Sequence, residues 1–349
     1  MVTQVAIVFL ATAVMYAVSL RLFPILGLMD FPERYGLKRA RLPYPAGIVA
    51  IIAFLGAFIL TTDIGRKEIG LIAAVVLLGT VCFFDDRTPL PSSVRLTIQA
   101  LCAVIVFLTG SQIYTITNPL GGIIKLDSII LTVQAIGPIP VLSGVFTLVW
   151  LLFTINALNW LDGITGQVSA LSTVGFLMLG CLAYFRNGEI QTAQIAFTLS
   201  AIAGAGILFD FPPGKMLIGD AGSMFFGLML GLLGIFSGGK VATVFLALGI
   251  PLLDAVFVII RRISQGKSPF RGGRDHLHHL LLARGWSPRQ VILLMTGAGT
   301  AFGVAALFLS TGGKAALGIV LILLMLLLYI QTRNLKPRPW RGPPPATET

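Results

Sequence analysis

Apolar stretches run almost from one end of this chain to the other, separated by short polar turns. Eleven can be marked out: residues 2–20, 48–60, 69–84, 96–108, 140–158, 168–184, 192–209, 224–236, 241–260, 291–309 and 315–330. Several are shorter than the roughly 20 residues that cross a bilayer squarely, so their ends must borrow flanking residues. The pattern predicts an all-α bundle of about eleven transmembrane spans, with ten as the alternative count, forming one domain over residues 1–335. Residues 336–349, rich in Pro and Arg, read as a disordered tail whose Lys336, Arg338 and Arg341 rest on anionic headgroups. Between the fourth and fifth runs, Gly121-Gly122 and the alternating Ile124 and Leu126 point to a short hairpin.

Composition strengthens this picture. Hydrophobic residues make up 56% of the chain and charged ones 11%, against about 25% charged in soluble domains. The net charge of +11 is read as orienting the spans rather than binding nucleic acid, because no basic, aromatic-rich soluble domain accompanies it. Cys82, Cys102 and Cys181 lie inside apolar runs with no CxxC spacing, so neither a disulfide framework nor a zinc site is indicated. The first run lacks a small-residue cleavage site and is expected to be retained as a span.

Loops sorted by alternate sides are unequal. Residues 21–47, 85–95, 159–167, 210–223, 261–290 and the tail hold 19 of the 25 Lys and Arg, the opposite set 6. That excess puts the first set in the cytosol and the N-terminus outside, in a multi-pass protein of the inner or plasma membrane. Asp85, Asp86, Asp162, Asp210, Asp220 and Asp275 fall on the same side. Ionisable groups so near hydrocarbon are costly and usually functional.

Four constellations carry the chemistry. Asp85 and Asp86 end an apolar run side by side, so they need a proton or a cation, and Mg²⁺ suits carboxylate oxygens with phosphates; a solvated helix end paired with Arg87 is the plain alternative. Asn156, Asn159 and Asp162 recur every third residue beside Gly163 and Gly166. On one helix they would share a face for a nucleotide or diphosphate, or act as polar glue between helices. Lys215 precedes Gly219-Asp220-Ala221-Gly222-Ser223, an acid opening a helix whose first amides favour phosphate oxygens, with helix capping by Asp220 as the alternative. Finally, His276, His278 and His279 follow Arg271 and Arg274, a set better suited to anionic oxygens than to zinc, which wants a closed ligand set. A simple basic loop is the remaining alternative there, and Asp254 reads as a packing acid or a partner of this loop.

In this order the four pieces resemble the polyprenyl-phosphate N-acetylhexosamine-1-phosphate transferases, from Asp30-Phe31-Pro32-Glu33-Arg34 to the histidine loop. The resemblance implies transfer of a sugar 1-phosphate, by preference N-acetylglucosamine 1-phosphate, from a UDP-sugar to undecaprenyl phosphate with release of UMP. It implies a cell-envelope polysaccharide such as O-antigen, enterobacterial common antigen or teichoic acid as the product's destination. It also implies Mg²⁺, with Mn²⁺ as a substitute, and it leaves room for a homodimer. Asp85, Asp86 and Asp162 take the catalytic positions, and Asp220 with Asp86 the metal positions. Asn156, His276, His278 and His279 take substrate-binding ones, and Asn159, Lys215, Arg271 and Arg274 are read as substrate-binding from their place in the same constellations. Phospho-N-acetylmuramoyl-pentapeptide transfer, a non-catalytic lipid-phosphate binder and a flippase are the competing readings. Departures from the family pattern stand at Thr165 (an acid), Asp210 (an Asn), Ser93 (a base, with Arg95 two residues on), Leu280 (an Arg) and Ala46 (a Gly). An acid lost at Thr165 and gained at Asp210 reads as one acid relocated.

Overall fold

A computed structural model describes residues 1–35, 40–44, 46–118, 122–134, 137–237, 241–268, 273 and 275–332. The basic tail, Arg271 and Arg274 lie outside the described residues. The helices are α1 (Val2–Ile25), α2 (Gly47–Thr61), α3 (Arg66–Arg87), α4 (Ser92–Leu108), α5 (Val141–Trp160), α6 (Gln167–Cys181) and α7 (Ile190–Asp210). They continue as α8 (Gly219–Phe236), α9 (Val241–Ala247), α10 (Gly249–Ser264), α11 (Leu277–Ala283), α12 (Pro288–Phe308) and α13 (Thr311–Thr332). Each of the eleven apolar runs holds helix, as it must where lipid leaves backbone groups no other partner. Among the described residues eight helices are long and apolar enough to cross a membrane, or nine spans with α9 and α10 counted as one; α2 and α4 are apolar but shorter. The protein is an all-α, polytopic membrane protein.

Two expectations need correction. The run 241–260 is not one helix, because α9 and α10 meet at an 89° bend. Pro251 has no N–H to return to the carbonyl of Ala247, which frees the chain to turn. Gly249, at the bend, admits α13: a Cβ there would stand 2.0 Å from Leu321 Cδ2. The segment after α4 forms two antiparallel hairpins rather than one. The first pairs β1 (Thr115–Thr117) with β2 (Ile123–Lys125), the second β3 (Ile130–Val133) with β4 (Gly137–Pro140). Leu126 separates them. It is buried, its N–H donates to Tyr114 and its carbonyl accepts from Ser143, so the chain is pinned to the bundle between the hairpins.

α8 is the axis of the bundle. Every residue from Ala221 to Ile235 is buried, packed by α2, α3, α5, α6, α7 and α9. A helix apolar on all sides belongs there. α13, equally apolar, turns Ile319, Leu323 and Ile330 outward toward lipid. Short links at 88–91, 161–166 and 211–218 bring the ends of α3, α5 and α7 and the starts of α4, α6 and α8 to one end of the bundle.

Candidate functional site

The start of α8 organises the acidic half of the site. The first N–H groups of a helix lack internal partners and attract anions. The sequence assigns them to phosphate oxygens, but in the structure Asp86 from α3 takes two of them. Its Oδ1 accepts from Asp220 N–H at 2.8 Å, and its Oδ2 accepts from Ala221 N–H at 3.2 Å. Tyr44 also donates its hydroxyl to Asp86 Oδ1, at 2.5 Å. Burial, then the Asp86 and Asp220 carboxylates, hold that phenol well above its ordinary range, so it stays a donor. Both glycines of the Asp220 motif now have a reason. Gly219 has φ +72°, and a Cβ on it would meet Tyr44 Cε2 at 2.7 Å and Asp86 Oδ2 at 2.9 Å. Opposite Gly222, a Cβ on Gly47 would meet the Gly222 nitrogen at 2.1 Å, so α2 and α8 cross backbone to backbone.

Asp220 does not cap its own helix. Its Oδ1 accepts from Asn159 Nδ2 at 2.8 Å, and its Oδ2 lies 3.0 Å from Arg95 Nη1. Asn159 also donates to Ser223 Oγ. Asp85, only 4% exposed at its side chain, accepts from Leu90 N–H at 2.6 Å and places its other oxygen 3.4 Å from the same Arg95 nitrogen. Arg87, the local partner considered for the acid pair, instead lies over the Phe83 ring. Asn156 stands apart from this cluster: its amide donates to Gln99 Oε1 at 2.6 Å and to the Leu152 carbonyl. That is the polar-glue arrangement between α4 and α5.

The predicted single stripe through Asp162 fails because α5 ends at Trp160. Asp162 falls in the turn that follows, its N–H donating to the Asn159 carbonyl. Burial, then Asp220, Asp210 and Asp86, push its carboxyl well above the usual range, and no described side chain pairs with it. The next residue joins the histidine half: a Cβ on Gly163 would stand 2.2 Å from His278 Nε2 and 3.1 Å from His279 Cε1. His278 is fully buried between His276 and His279, with ring centroids 5.9 and 4.0 Å away, and neither of its nitrogens has a partner among the described residues. Burial and the two neighbouring imidazoles push its pKa down, so it is neutral near pH 7. Asp254 fixes His276. It takes His276 Nδ1 at 2.6 Å, Leu277 N–H at 2.7 Å and the Tyr329 hydroxyl at 2.5 Å, joining α10, α11 and α13.

Lys215 is exposed at the rim. Thr165 and Asp210 converge around Gly214, whose Cβ would meet the Asp210 carbonyl at 2.8 Å and Thr165 Cβ at 3.0 Å. The Asp210 carboxyl is buried and bonded to Ser169. Ser93 is exposed, while Arg95, two residues on, turns to the acids. Leu280 is buried in the core. Sequence reasoning missed Tyr44 and Gln99. Gln99 lies one turn beyond Arg95 on the same face of α4, the one periodic signal that could have found it.

The donor chemistry suits a hard divalent ion. Asp85 Oδ2 and Asp220 Oδ2 aim at one point, already held by a cationic nitrogen, whereas Asp86, expected beside Asp220 at the metal, has both oxygens taken by Tyr44 and the first amides of α8. No group of three or more His, Cys, Asp or Glu able to hold a metal exists among the described residues. Two carboxylates completed by water and substrate phosphate are what Mg²⁺ commonly takes, and a closed zinc set is absent from these residues.

Residues 68–238 match glycosyl transferase family 4. The chain is 30% identical over 346 residues to the undecaprenyl-phosphate alpha-N-acetylglucosaminyl 1-phosphate transferase of Escherichia coli O157:H7, covering 94% of this chain and 89% of that one. It is 29% identical over 310 residues to the enzyme of the same description in Yersinia pestis, covering 85% and 80%. With the probable undecaprenyl-phosphate N-acetylglucosaminyl 1-phosphate transferase of Bacillus subtilis it shares 24% over 295 residues, covering 82% and 78%.

Proposed function

The chain belongs to glycosyl transferase family 4, and from that premise we propose that it moves N-acetylglucosamine 1-phosphate from a UDP-sugar to undecaprenyl phosphate at the cytosolic face of the cell membrane. The observation that carries this reading is the convergence of Asp85, Asp86, Arg95, Asn159 and Asp220, from four helices, at the end of the bundle that also holds Asp162 and the histidines. A flippase would need such groups near the midplane.

An oxygen of the lipid phosphate attacks the sugar-bearing phosphorus, the bond to the UMP oxygen breaks, and UMP leaves with the electron pair. A phosphate monoester has a second pKa near ~6 and is already largely dianionic at neutral pH. The task is therefore to bring two anions together, by positioning and charge neutralisation. Asp254 holds His276 through Nδ1, so the ring is fixed in place, and its Nε2 would donate to an anionic oxygen only as the imidazolium. Lys215, exposed on the link that leads into α8, is assigned to drawing phosphate inward. Direct attack is favoured over a carboxylate nucleophile because Asp86 is held by three donors, and Asp85 is held by Leu90 N–H on one oxygen and faces a cation with the other. When bound by Asp85 and Asp220, Mg²⁺ would supply neutralisation of diphosphate charge.

Purified protein with Mg²⁺, undecaprenyl phosphate and UDP-N-acetylglucosamine should release UMP and form a lipid-linked sugar, the release requiring Mg²⁺ or Mn²⁺. Absence of turnover with every UDP-sugar, from folded protein that binds the lipid, would sink the proposal. A reporter fused within residues 261–290 should report the cytosol.

A further inference from the structure

Each acid of the Asp85–Asp220 pair has one oxygen already committed. Leu90 N–H holds Asp85 Oδ1, and Asn159 holds Asp220 Oδ1. The two oxygens left over point at a single atom, Arg95 Nη1, at 3.4 and 3.0 Å. Among the described residues no other cation pairs with either acid, since Arg87 has turned to Phe83. The guanidinium enters from the open side: its side chain is 33% exposed, that of Asp85 4%. Its contact with Asp85 is at the long limit of a hydrogen bond, so the grip there is loose. A divalent ion would draw on the same two oxygens, and its positive charge would repel a guanidinium held at contact distance from them.

We propose that Arg95 is the resident counter-cation of the Asp85–Asp220 pair, displaced when a divalent ion binds and then turned toward the substrate's anionic oxygens. This rests on the metal-dependent reading above. Arg95 keeps two buried-edge acids compatible before the ion arrives, and it competes with the ion for them. Affinity for the ion is therefore lower than the two carboxylates alone would give.

Mn²⁺ binding to the purified protein, followed by electron paramagnetic resonance without substrate, tests this directly. Arg95→Gln should bind Mn²⁺ roughly tenfold more tightly, the scale of one partly screened charge at contact distance, and Arg95→Lys, which keeps the charge, much less so. Equal or weaker binding by Arg95→Gln overturns the proposal. The unaltered protein provides a test independent of any folding defect. Mg²⁺ should raise the modification of Arg95 by phenylglyoxal severalfold, read by mass spectrometry, and an unchanged or reduced rate overturns displacement. Failure of the metal reading itself looks different. In that case neither the native protein nor Arg95→Gln binds Mn²⁺, or Asp220→Asn binds it as well as the native protein does, and the proposal falls with it.

Discussion

On the α3–α8 side of the site, Asp85 and Asp220 share one guanidinium at a partly open edge, one contact short and one long. On the α10–α13 side, Asp254 is closed in by three donors at 2.5 to 2.7 Å and is 2% exposed. Both are carboxylates at helix–helix junctions, yet their surroundings suit them to different work. An acid with one oxygen held by a partly exposed side chain can exchange partners at low cost. An acid with every oxygen filled by buried donors can only hold its neighbours in place, because leaving those donors unpaired is expensive. The acidic half is built to change ligands and the histidine half to stay fixed.

The largest effect should come from the exchanging side. Asp220→Asn keeps the size of the side chain and an acceptor for Asn159 but removes the charge facing Arg95. Turnover should fall on the order of 10³-fold, the upper range for a group that stabilises transferring charge, with expression and melting temperature nearly unchanged. A fall below tenfold would mean that Asp220 is structural. Next, Asp254→Ala should lower kcat about 10–100-fold by releasing His276 and also destabilise the fold by about 1–3 kcal/mol through loss of the bonds from the Tyr329 hydroxyl and Leu277 N–H. Asp254→Asn should recover part of both. If Asp254→Ala lost activity with no change in melting, the fixed-scaffold view of that half would be wrong.

The seam between the halves is Gly163. Gly163→Ala puts a methyl into His278, and overpacking of this kind costs about 1–3 kcal/mol; a lowered melting temperature with reduced kcat is expected. The smallest effect belongs to Asn156. A double-mutant cycle of Asn156→Ala with Gln99→Ala should show a coupling of about 0.5–1.5 kcal/mol in stability. The KM for UDP-sugar should not move. A large KM change in Asn156→Ala would instead make it a nucleotide contact, as the resemblance implies.

Much of this was legible from residue order. Helix in each apolar run follows from the need to satisfy backbone groups in lipid, and acids at the ends of runs had to gather where those ends meet. Local spacing failed where the backbone left the helix. Asp162 keeps a three-residue interval from Asn159, but α5 stops at Trp160 and the turn sends Asp162 toward the other acids. The bend at Leu248 was signalled by Pro251, yet periodicity counted straight through it.

Sequence by itself determined the class of the molecule, its apolar helices, and which ionisable residues could lie together at one end. Only the tertiary structure decided which oxygen meets which donor. Tyr44 with Asp86, Arg95 with Asp220 and Asp254 with Tyr329 are separated by 42, 125 and 75 residues, so no local spacing encodes them. They arise from where the buried faces of α3, α4, α8, α10 and α13 pack, and packing sums many weak contacts over the whole bundle. The acids at that end were readable in the chain, whereas the division of labour among them depends on distances that only the folded bundle sets.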